Sequence, residues 1–367
     1  MTRPSRLHVF IIDGTLSRLT EGQETNAGLT FRLLQEVGPK VDQTFGYNPG
    51  VQGAGLRGLI GVAAGYGLNA SIQDGYATLC SRYTDGDRIM LFGYSRGAYA
   101  VRSLAGFITR IGLLRRRHAT ARRVARAFRY YQAHQISDQG RRFSQAYCRQ
   151  NVAIEAVCVW DTVKALGLPL PLISRLAPMA THFHDADLGP QVAHGFHALA
   201  LDETRLSYAP LLWTPGPDQT AQVQQMWFPG GHGDVGGHVW RAPSARPLAN
   251  LSLVWVLERA QACGLQLPPN WRARLPTDPA AARQNLWAGH NRFFWRRAAR
   301  TAGEHPTEAL HDSVAARMRE RPHYRPKATW QGAALPGPSD ASPALPTERT
   351  SVRTSGPGRP GQRQTPR

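Results

Sequence analysis

Cysteine is scarce in this sequence, and its few cysteines form no pattern that would hold a metal or a disulfide. Cys80, Cys148, Cys158 and Cys263 are scattered along 367 residues without a C-x-x-C pair. This spacing argues against a disulfide framework and against a zinc site. A chain of this length buries enough apolar surface to fold without such staples. We therefore interpret the cysteines as buried, inert thiols and predict neither a metal nor another cofactor.

Long apolar runs are also absent. No window approaches the roughly 18 consecutive apolar residues that a membrane-spanning helix needs. The amino terminus carries Arg3 and Arg6 before a short apolar run and lacks the small-residue cleavage site of a secretory signal. We expect a protein that is made in the cytoplasm and is not integral to a membrane, although a signal-independent machine could still export it.

Acidic residues are few, at 25 against 44 lysines and arginines, so the formal net charge is +19. Residues 110–137, called here the arginine stretch, contain eight arginines and no acid, and residues 315–367 add ten basic and three acidic residues. Such clusters can bind nucleic acid or an anionic lipid surface. The simpler interpretation is solvated charge on helix faces and in a tail.

The composition changes near the carboxyl terminus. From about Gln331 the chain is rich in proline, glycine, serine and threonine and has almost no aromatic residues. Such a segment buries too little apolar surface to offset the entropy of ordering. We predict a disordered basic tail over residues 331–367 and a folded unit over residues 5–325, without a fixed-period repeat.

Short apolar runs alternate with helical patterns through the folded unit. Strands are predicted over residues 8–12, 88–94, 153–160 and 223–228, and helices over 26–37 and 96–111. This alternation predicts an α/β fold with a mostly parallel central sheet and helices on both faces. Ligands bind such sheets beyond the carboxyl ends of the strands. Three of the predicted strands end beside Asp13, Ser95 and Asp161, and the fourth ends just before His232.

The strongest local motif is Gly-Tyr-Ser-Arg-Gly at residues 93–97, which matches G-x-S-x-G between a strand pattern and a helix pattern. Gly93 and Gly97 permit a tight, strained turn that lifts the hydroxyl of Ser95 clear of the backbone. The positive end of the following helix points towards an anion that forms at this serine. The motif predicts that Ser95 is a nucleophile.

A nucleophilic serine needs a base, and the base needs an orienting acid. Proteins with this turn carry the three residues in the order Ser, Asp or Glu, His. We predict that His232 takes the proton of Ser95 and that Asp161 orients the imidazole. Asp161 could instead be a helix N-cap, and His232 could be a turn residue. His238 and Asp234 are close rivals, and Asp234 is otherwise expected to support the site.

The Asp-Gly-Thr turn after the first strand is expected to complete the site. One oxyanion donor should be the backbone N–H of Arg96, and the second should come from Gly14 or Thr15. The turn also resembles the Asp-x-Asp-Gly-Thr motif of haloacid-dehalogenase-like phosphatases. Ile11 occupies the position of the phosphatase nucleophile, however, and cannot form an aspartyl-phosphate. We therefore interpret Asp13 as a residue that ties down the turn by hydrogen bonds.

Several blocks of the sequence resemble the α/β-hydrolase domain of class 1 type VI secretion lipase effectors, a family that includes many bacterial and fungal proteins. GYSRGAYAVRSLAGFI, VCVWDTVKALG, HALALDETRLSYAPLLW and WFPGGHGDVGGH occur in the right order, and VFIIDGT and YNPGVQG also fit. The resemblance runs from about residue 6 to about residue 315. It implies that Ser95, Asp161 and His232 hold the three catalytic positions. Leu16 and Ser17 stand where a Trp-Asn pair is usual.

The motifs and the resemblance together predict a serine hydrolase that cleaves carboxylic esters, with phospholipid acyl esters as the substrate class. The resemblance implies a phospholipase A-type effector exported by type VI secretion, with a secretion-machine or immunity partner, and the arginine clusters suggest contact with an anionic membrane. One alternative is a soluble carboxylesterase. Another is a non-catalytic protein that binds nucleic acid or anionic lipid, and nucleic acid is disfavoured because it leaves the nucleophile motif unexplained.

Two further segments have patterns that could indicate a lid and a dinucleotide site. Residues 166–179, LGLPLPLISRLAPM, follow the acid position, where such folds often insert a lid. Their apolar side chains and prolines suit an acyl-binding cap, but they suit ordinary core filling as well. Residues 53–58 fit G-x-G-x-x-G without a preceding strand, so we predict no dinucleotide site there.

Overall fold

A seven-stranded parallel sheet forms the centre of the computed structural model, which describes residues 4–38, 42–52, 66–164, 186–214, 216, 220–287 and 296–332. The strands in chain order are β1 (Leu7–Ile12), β2 (Gln43–Asn48), β3 (Arg88–Tyr94), β4 (Leu113–Leu114), β5 (Cys148–Arg149), β6 (Ala153–Trp160), β7 (Val192–Ala200), β8 (Gln222–Phe228), β9 (Thr301–Ala302), β10 (Glu308–Leu310) and β11 (Thr329–Trp330). The main sheet has the order β10-β8-β7-β6-β3-β1-β2. All of its neighbouring strands are parallel, so the predicted α/β fold is confirmed.

Helices cover both faces of this sheet. In chain order they are α1 (Asn26–Val37), α2 (Tyr66–Arg82), α3 (Arg96–Ile111), α4 (Ala121–Gln132), α5 (Asp138–Tyr147), α6 (His232–Gly236), α7 (Arg246–Ala262) and α8 (Ser313–Glu320). Helices α2 and α3 share an apolar cluster with one face of the sheet, and α1 and α7 share a second cluster with the other face. Among the described residues, no helix is both long and apolar enough to cross a membrane.

Strand β1 shows why this sheet reads as continuous apolar runs. All six of its residues are buried. Phe10 and Ile12 pack with α2 and α3, whereas Val9 and Ile11 pack with α1 and α7. Because successive side chains point to opposite faces, a strand covered on both sides carries apolar residues on both of them. The polar side chain of β1, His8, is buried against Asp87 Oδ2, at 2.9 Å from its Nε2.

The predicted elements coincide with the observed ones at most boundaries, and three strands of the main sheet, β2, β7 and the three-residue β10, were not predicted. Strands β1 and β8 begin one residue earlier than predicted, and the helices predicted over 26–37 and 96–111 are α1 and α3. Strand β2 lies at the sheet edge and is mostly half-buried, so its sequence QTFGYN lacks an apolar run. The histidines and glycine of β7, VAHGFHALA, hide a strand that lies inside the sheet.

Three predicted segments fall wholly or mainly outside the described residues. These are the lid segment 166–179, the glycine-rich segment 53–58 and nearly all of the tail 331–367. The described chain stays connected to the fold close to the predicted tail boundary, because the Gln331 N–H donates a hydrogen bond to Ala302 O (2.8 Å). The two-part division of the chain stays a prediction.

The turn from β3 to α3 is packed against its neighbours too closely for side chains at its glycines. A Cβ atom on Gly97 would lie 2.1 Å from Ile12 O, and one on Gly93 would lie 2.5 Å from Gly97 O. Both distances are far below any contact that real Cβ atoms make. The two glycines therefore let α3 start directly against the end of β1, with Ser95 at the apex between them.

We expect Gly97→Ala to destabilise the fold by at least about 2 kcal/mol, because the added methyl group would overlap the backbone of β1. Gly216→Ala is the matched control, since a Cβ built at Gly216 meets no atom within 4 Å. Urea unfolding of both variants and the unmodified chain measures the difference. Equal free energies of unfolding for the two variants would contradict the close packing of this turn.

Candidate active site

The Ser95 hydroxyl stands at the carboxyl end of β3, on the residue that precedes α3. Ser95 has φ 59° and ψ −120°, a conformation that costs a residue with a side chain on the order of 1 kcal/mol. Its backbone N–H donates a hydrogen bond to Trp160 O at the end of β6 (3.0 Å). The strained turn therefore presents the hydroxyl at the sheet edge, beside the positive end of α3.

The structure brings Ser95, Asp161 and His232 into one hydrogen-bonded row. His232 Nε2 lies 2.8 Å from Ser95 Oγ, and His232 Nδ1 lies 2.6 Å from Asp161 Oδ2. The three residues follow β3, β6 and β8, whose carboxyl ends meet at the same edge because the strands are parallel. The rival histidine, His238, instead accepts a hydrogen bond from Trp240 Nε1 (2.9 Å).

Aromatic rings hold the His232 imidazole in place, and a buried carboxylate holds the backbone of His232. The Tyr94 ring stacks on it at 5.0 Å and the Tyr208 ring meets it edge-on at 4.7 Å, both between ring centroids. The backbone N–H of His232 donates to Glu203 Oε2 (3.1 Å). Glu203 in turn accepts hydrogen bonds from Arg205 Nε and Nη2 (2.8 and 2.7 Å). The imidazole therefore has little freedom to leave Ser95.

Asp234 closes the loop that carries His232. Its Oδ2 accepts a hydrogen bond from the Gly231 N–H (2.9 Å), and its Oδ1 accepts one from the Gln284 N–H (3.0 Å). Burial raises the pKa of Asp234 to about 6, against the lowering effect of these hydrogen bonds. Asp234 makes its contacts on the backbone side of the loop, which fits a supporting role.

Asp161 is fully buried and stays ionised because its neighbours supply positive charge. Burial by itself would raise the pKa of Asp161, but Arg300 and hydrogen bonds from His232 and Arg300 outweigh it and hold this pKa below the ordinary value. The Ala200 N–H also donates to Asp161 Oδ1 (3.0 Å). No helix begins in the three described residues that follow, so the N-cap alternative for Asp161 is not supported.

Arg300 is the residue that sequence reasoning missed. Its Nη1 and Nη2 donate to Asp161 Oδ1 and Oδ2 at 2.6 and 2.9 Å, and Nη1 also donates to Ala200 O (2.8 Å). No local motif marks it, since it lies 139 residues after Asp161 in a segment with several other arginines. Glu203 and Arg205 lie in one of the blocks that carry the family resemblance, but the sequence alone gave them no role.

The charge state of His232 suits a proton acceptor. Burial lowers the pKa of His232 below the ordinary value, and this outweighs the raising effect of Asp161. The imidazole is therefore neutral near pH 7. Because the ionised Asp161 accepts at Nδ1, the Nδ1 atom carries the proton and Nε2 is left to accept one from Ser95.

Asp13 anchors the turn that follows β1. Its carboxylate is buried and accepts hydrogen bonds from the Gly14 N–H and the hydroxyls of Ser17, Thr25 and Tyr47, at 2.6 to 2.9 Å. Burial raises the pKa of Asp13 against the opposing effect of these four donors. These contacts are the kind expected of a residue that ties down the turn.

The same contacts distinguish between Gly14 and Thr15, the two predicted oxyanion donors of this turn. The Gly14 N–H is directed to Asp13, whereas neither the N–H nor the hydroxyl of Thr15 has a hydrogen-bond partner among the described residues. The turn lies against the residue before Ser95, since a Cβ on Gly14 would be 2.7 Å from the Tyr94 ring. Thr15 is therefore the better candidate of the two, together with the Arg96 N–H at the start of α3.

Away from this site, and among the residues that the structure describes, Glu155, His194 and Cys263 form a group that could ligate a metal. Their donor atoms lie within 4.8 Å of one another near the amino ends of β6 and β7. Arg88 Nη1, however, donates to Glu155 Oε2 at 3.1 Å. The carboxylate thus already has a cationic partner, which disfavours a second cation there.

The arginine stretch lies near the amino ends of the strands, at the opposite end of the sheet from Ser95. Helix α4, which carries half of its arginines, packs on the carboxyl-terminal half of α3, where the Tyr131 ring stacks on Phe107 at 5.0 Å. Arg116 lines a cavity together with Arg6, which directly precedes β1. Helix α3 has 16 residues and is therefore about 24 Å long, so this end is remote from Ser95.

A parallel sheet with serine, aspartate and histidine side chains joined at its carboxyl edge is the arrangement of the α/β-hydrolase class. The sequence model of the family described as "T6SS, Phospholipase effector Tle1-like, catalytic domain" matches residues 6–259. The match covers most of the chain, which therefore belongs to this family. The predicted resemblance is confirmed, and Arg300 lies beyond the matched residues.

The chain is also similar to individual proteins. "Uncharacterized protein YEL023C" of Saccharomyces cerevisiae is 28% identical over 235 residues, which cover 57% of this chain and 33% of that protein. The chain thus spans about a third of the length of this relative. A crystal structure of a Pseudomonas aeruginosa protein aligns over 74% of this chain and 49% of that one, with 16% identity and a TM-score of 0.46. A Tle1 effector, solved bound to the VgrG spike of the type 6 secretion system, aligns over 64% and 52%, with 17% identity and a TM-score of 0.34.

We expect Arg300→Met to move the acid limb of the pH–rate profile to higher pH. The rate falls as pH drops through the pKa of His232, which must be neutral to accept a proton. Without Arg300, the uncompensated charge of Asp161 favours the imidazolium, so the pKa of His232 rises. We also expect kcat/KM at neutral pH to fall by roughly tenfold or more, with a stability loss of about 3 kcal/mol from the unpaired buried charge.

Profiles of kcat/KM against pH with a soluble ester measure this effect. Arg296→Met is the matched control, because Arg296 is exposed in the same segment. Arg300→Lys keeps the positive charge without the paired nitrogens and should give an intermediate profile. An acid limb that stays in place in Arg300→Met would show that Arg300 does not act through His232.

Proposed function

We propose that this protein is a serine hydrolase that cleaves carboxylic esters through an acyl-enzyme. The observation that carries the proposal is the row of hydrogen bonds from Ser95 through His232 to Asp161, since these three groups have matching distances, burial and charge states. A structural polar cluster would not require the strained backbone of Ser95. The same strain is expected where a hydroxyl must be presented to a substrate.

The geometry gives each group a defined role in the reaction. Ser95 Oγ attacks the carbonyl carbon of the ester while His232 Nε2 takes the hydroxyl proton. The backbone N–H groups of Arg96 and Thr15 hold the oxyanion of the tetrahedral intermediate. The intermediate expels the alcohol, which receives the proton from His232. Water, activated by His232, then cleaves the acyl-serine, releases the carboxylic acid and restores Ser95.

The substrate class proposed is the acyl ester of phospholipids, cleaved in the manner of a phospholipase A. Family membership supports a phospholipase, because the family is described by that activity. Cleavage at an acyl ester follows from the mechanism, because an acyl-serine intermediate forms only from an acyl donor. A soluble carboxylesterase with the same mechanism is the alternative, and it differs only in the physical state of the substrate.

The biological setting proposed is that of a type VI secretion effector. The family name supports it, and a Tle1 effector has been solved on the VgrG spike of that machine. A component of the secretion machine and an immunity protein are the partners that this setting implies. The positive net charge of +19 would favour approach to an anionic membrane.

We expect Ser95→Ala to lower ester hydrolysis by roughly 10⁴-fold or more and to abolish labelling by a fluorophosphonate probe, because the acyl-enzyme forms on the Ser95 hydroxyl. Ser81→Ala is the matched control, since Ser81 is an exposed serine on α2. Labelling is read on a gel and hydrolysis by release of a chromogenic alcohol. Equal labelling of Ser95→Ala and the unmodified chain would contradict the mechanism.

Mass spectrometry of a phospholipid panel tests the substrate class. Free fatty acid and lysophospholipid are the products expected of acyl ester cleavage, whereas diacylglycerol or phosphatidic acid would contradict it. Cleavage of soluble short-chain esters without cleavage of any lipid would replace the phospholipase by the carboxylesterase.

A further inference from the structure

The large apolar side chains that the described residues expose are gathered around the candidate active site. They are Leu16, Leu206 and Trp287, with exposed fractions of 50%, 43% and 64%. Each lies on a loop that contacts the turns of the catalytic row, as shown below. Single exposed apolar residues are ordinary on a protein surface, but their restriction to the surroundings of one site is informative.

Leu16 lies on the β1 side of the site, one residue after Thr15. It has φ 59°, a left-handed conformation that branched side chains avoid. The turn is nevertheless fixed, because the Leu16 N–H donates to Val51 O (3.2 Å) and Asp13 holds the neighbouring Ser17 hydroxyl (2.9 Å). The fold thus holds a leucine in solvent at a position where asparagine or glycine would fit with less strain.

Leu206 and Trp287 lie on the other side, next to His232. Leu206 opens a short 3₁₀ turn, Leu206–Tyr208, whose Tyr208 ring meets the imidazole. Trp287 directly follows Leu286, and a Cβ on Gly231 would lie 2.7 Å from the Leu286 side chain. The two exposed side chains are therefore carried by segments that pack on the residues around His232.

Arginines accompany the aromatic side chains of this region. Arg297 Cζ lies 3.8 Å from the centre of the Trp287 ring, and Arg18 and Arg241 lie 5.7 and 4.5 Å from that of Trp240. Tryptophan favours the boundary between lipid headgroups and acyl chains, and arginine reaches the phosphates from there. The carboxylates of the site, by contrast, are buried and do not face outward.

We propose that Leu16, Leu206 and Trp287, with Arg18, Arg241 and Arg297, form a rim that docks on the surface of an anionic phospholipid bilayer. The inference rests on the proposed function, since a phospholipase must receive its substrate from such a surface. The three apolar side chains enter the headgroup region, and Arg18 and Arg241 contact lipid phosphates. Arg297 instead supports the Trp287 ring, because its Nη1 and Nη2 donate to Thr204 Oγ1 and Leu286 O (3.0 and 2.7 Å). The carboxyl edge of the sheet then faces the membrane, with Ser95 behind the rim.

The position of the arginine stretch favours the rim over that stretch as the docking surface. A bilayer held by helix α4 would contact the molecule near the amino ends of the strands, at the far end of α3 from Ser95. The ester bonds of the lipids would then lie at the end of the molecule that is remote from Ser95. Charge alone therefore does not select the docking surface, whereas the combination of apolar and cationic side chains around the site does.

Binding to vesicles of phosphatidylglycerol and phosphatidylethanolamine tests the proposal, with Ser95→Ala in the full chain as the parent so that no lipid is consumed. Adding Trp287→Ser and Leu206→Ser together should reduce co-sedimentation with the vesicles by roughly tenfold or more. The matched control adds Arg122→Ser and Arg126→Ser, two exposed arginines of α4, and should bind within about threefold of the parent. Unchanged thermal unfolding midpoints show that the variants are folded.

Leu16→Asn separates docking from a purely structural role. Asparagine adopts the left-handed conformation more readily than leucine, so this change should raise the unfolding midpoint while it lowers vesicle binding. A leucine that only stabilised the turn would give the opposite change in stability. Full vesicle binding by Leu16→Asn and by the Trp287 and Leu206 variant would overturn the proposal.

The remaining outcomes are also decisive. Loss of vesicle binding in the α4 control alone would assign the docking surface to the arginine stretch. Absence of vesicle binding by the parent would indicate that the rim binds a partner protein and not a bilayer. Either result overturns the proposal. Vesicle binding through the rim without lipid cleavage by the unmodified chain would overturn the proposed phospholipid substrate class and leave the docking surface intact, so the two failures are distinguishable.

Discussion

The charge of Asp161 in the interior is the constraint on which the rest of the site depends. A buried carboxylate is unfavourable unless cationic and hydrogen-bonding partners surround it. Arg300 supplies the Nη1 and Nη2 atoms of its guanidinium, Ala200 a backbone N–H and His232 its Nδ1. Because Asp161 accepts at Nδ1, the opposite nitrogen of the ring is left towards Ser95. One ion pair thus fixes the position, the tautomer and the direction of the imidazole.

Other buried carboxylates apply the same principle to the loops around the row. Asp13 gathers the donors of the turn after β1, and Asp234 closes the loop that carries His232. Asp202 accepts from the Gly230 N–H and the Tyr324 hydroxyl, both at 2.9 Å. Turns at the carboxyl ends of parallel strands leave backbone N–H groups without sheet partners, and these side chains supply the acceptors. Hydrogen bonds within the protein therefore hold each of these loops next to the row.

The sequence predicted those parts of the molecule that local chemistry determines. Short, mainly apolar runs identified four strands of the main sheet, and G-x-S-x-G identified the turn that needs two glycines. Strand β7 escaped because its histidines and glycine break the apolar run, although its neighbours on both sides bury it. Arg300 was not predicted, because a contact with a residue 139 positions away produces no local sequence motif. The choice between Gly14 and Thr15 needed the direction of one N–H, which a sequence pattern does not contain.

The position of Arg300 has a consequence for where a working unit of this protein ends. The region shared with the family stops at residue 259 and contains Ser95, Asp161 and His232. A fragment cut there would keep every reacting group and lose the cation that makes the Asp161 charge tolerable. If the proposed mechanism holds, the stretch from residue 296 onward, which returns to the sheet with Arg300, belongs to the catalytic unit together with Ser95. Sequence similarity alone would draw this boundary too early.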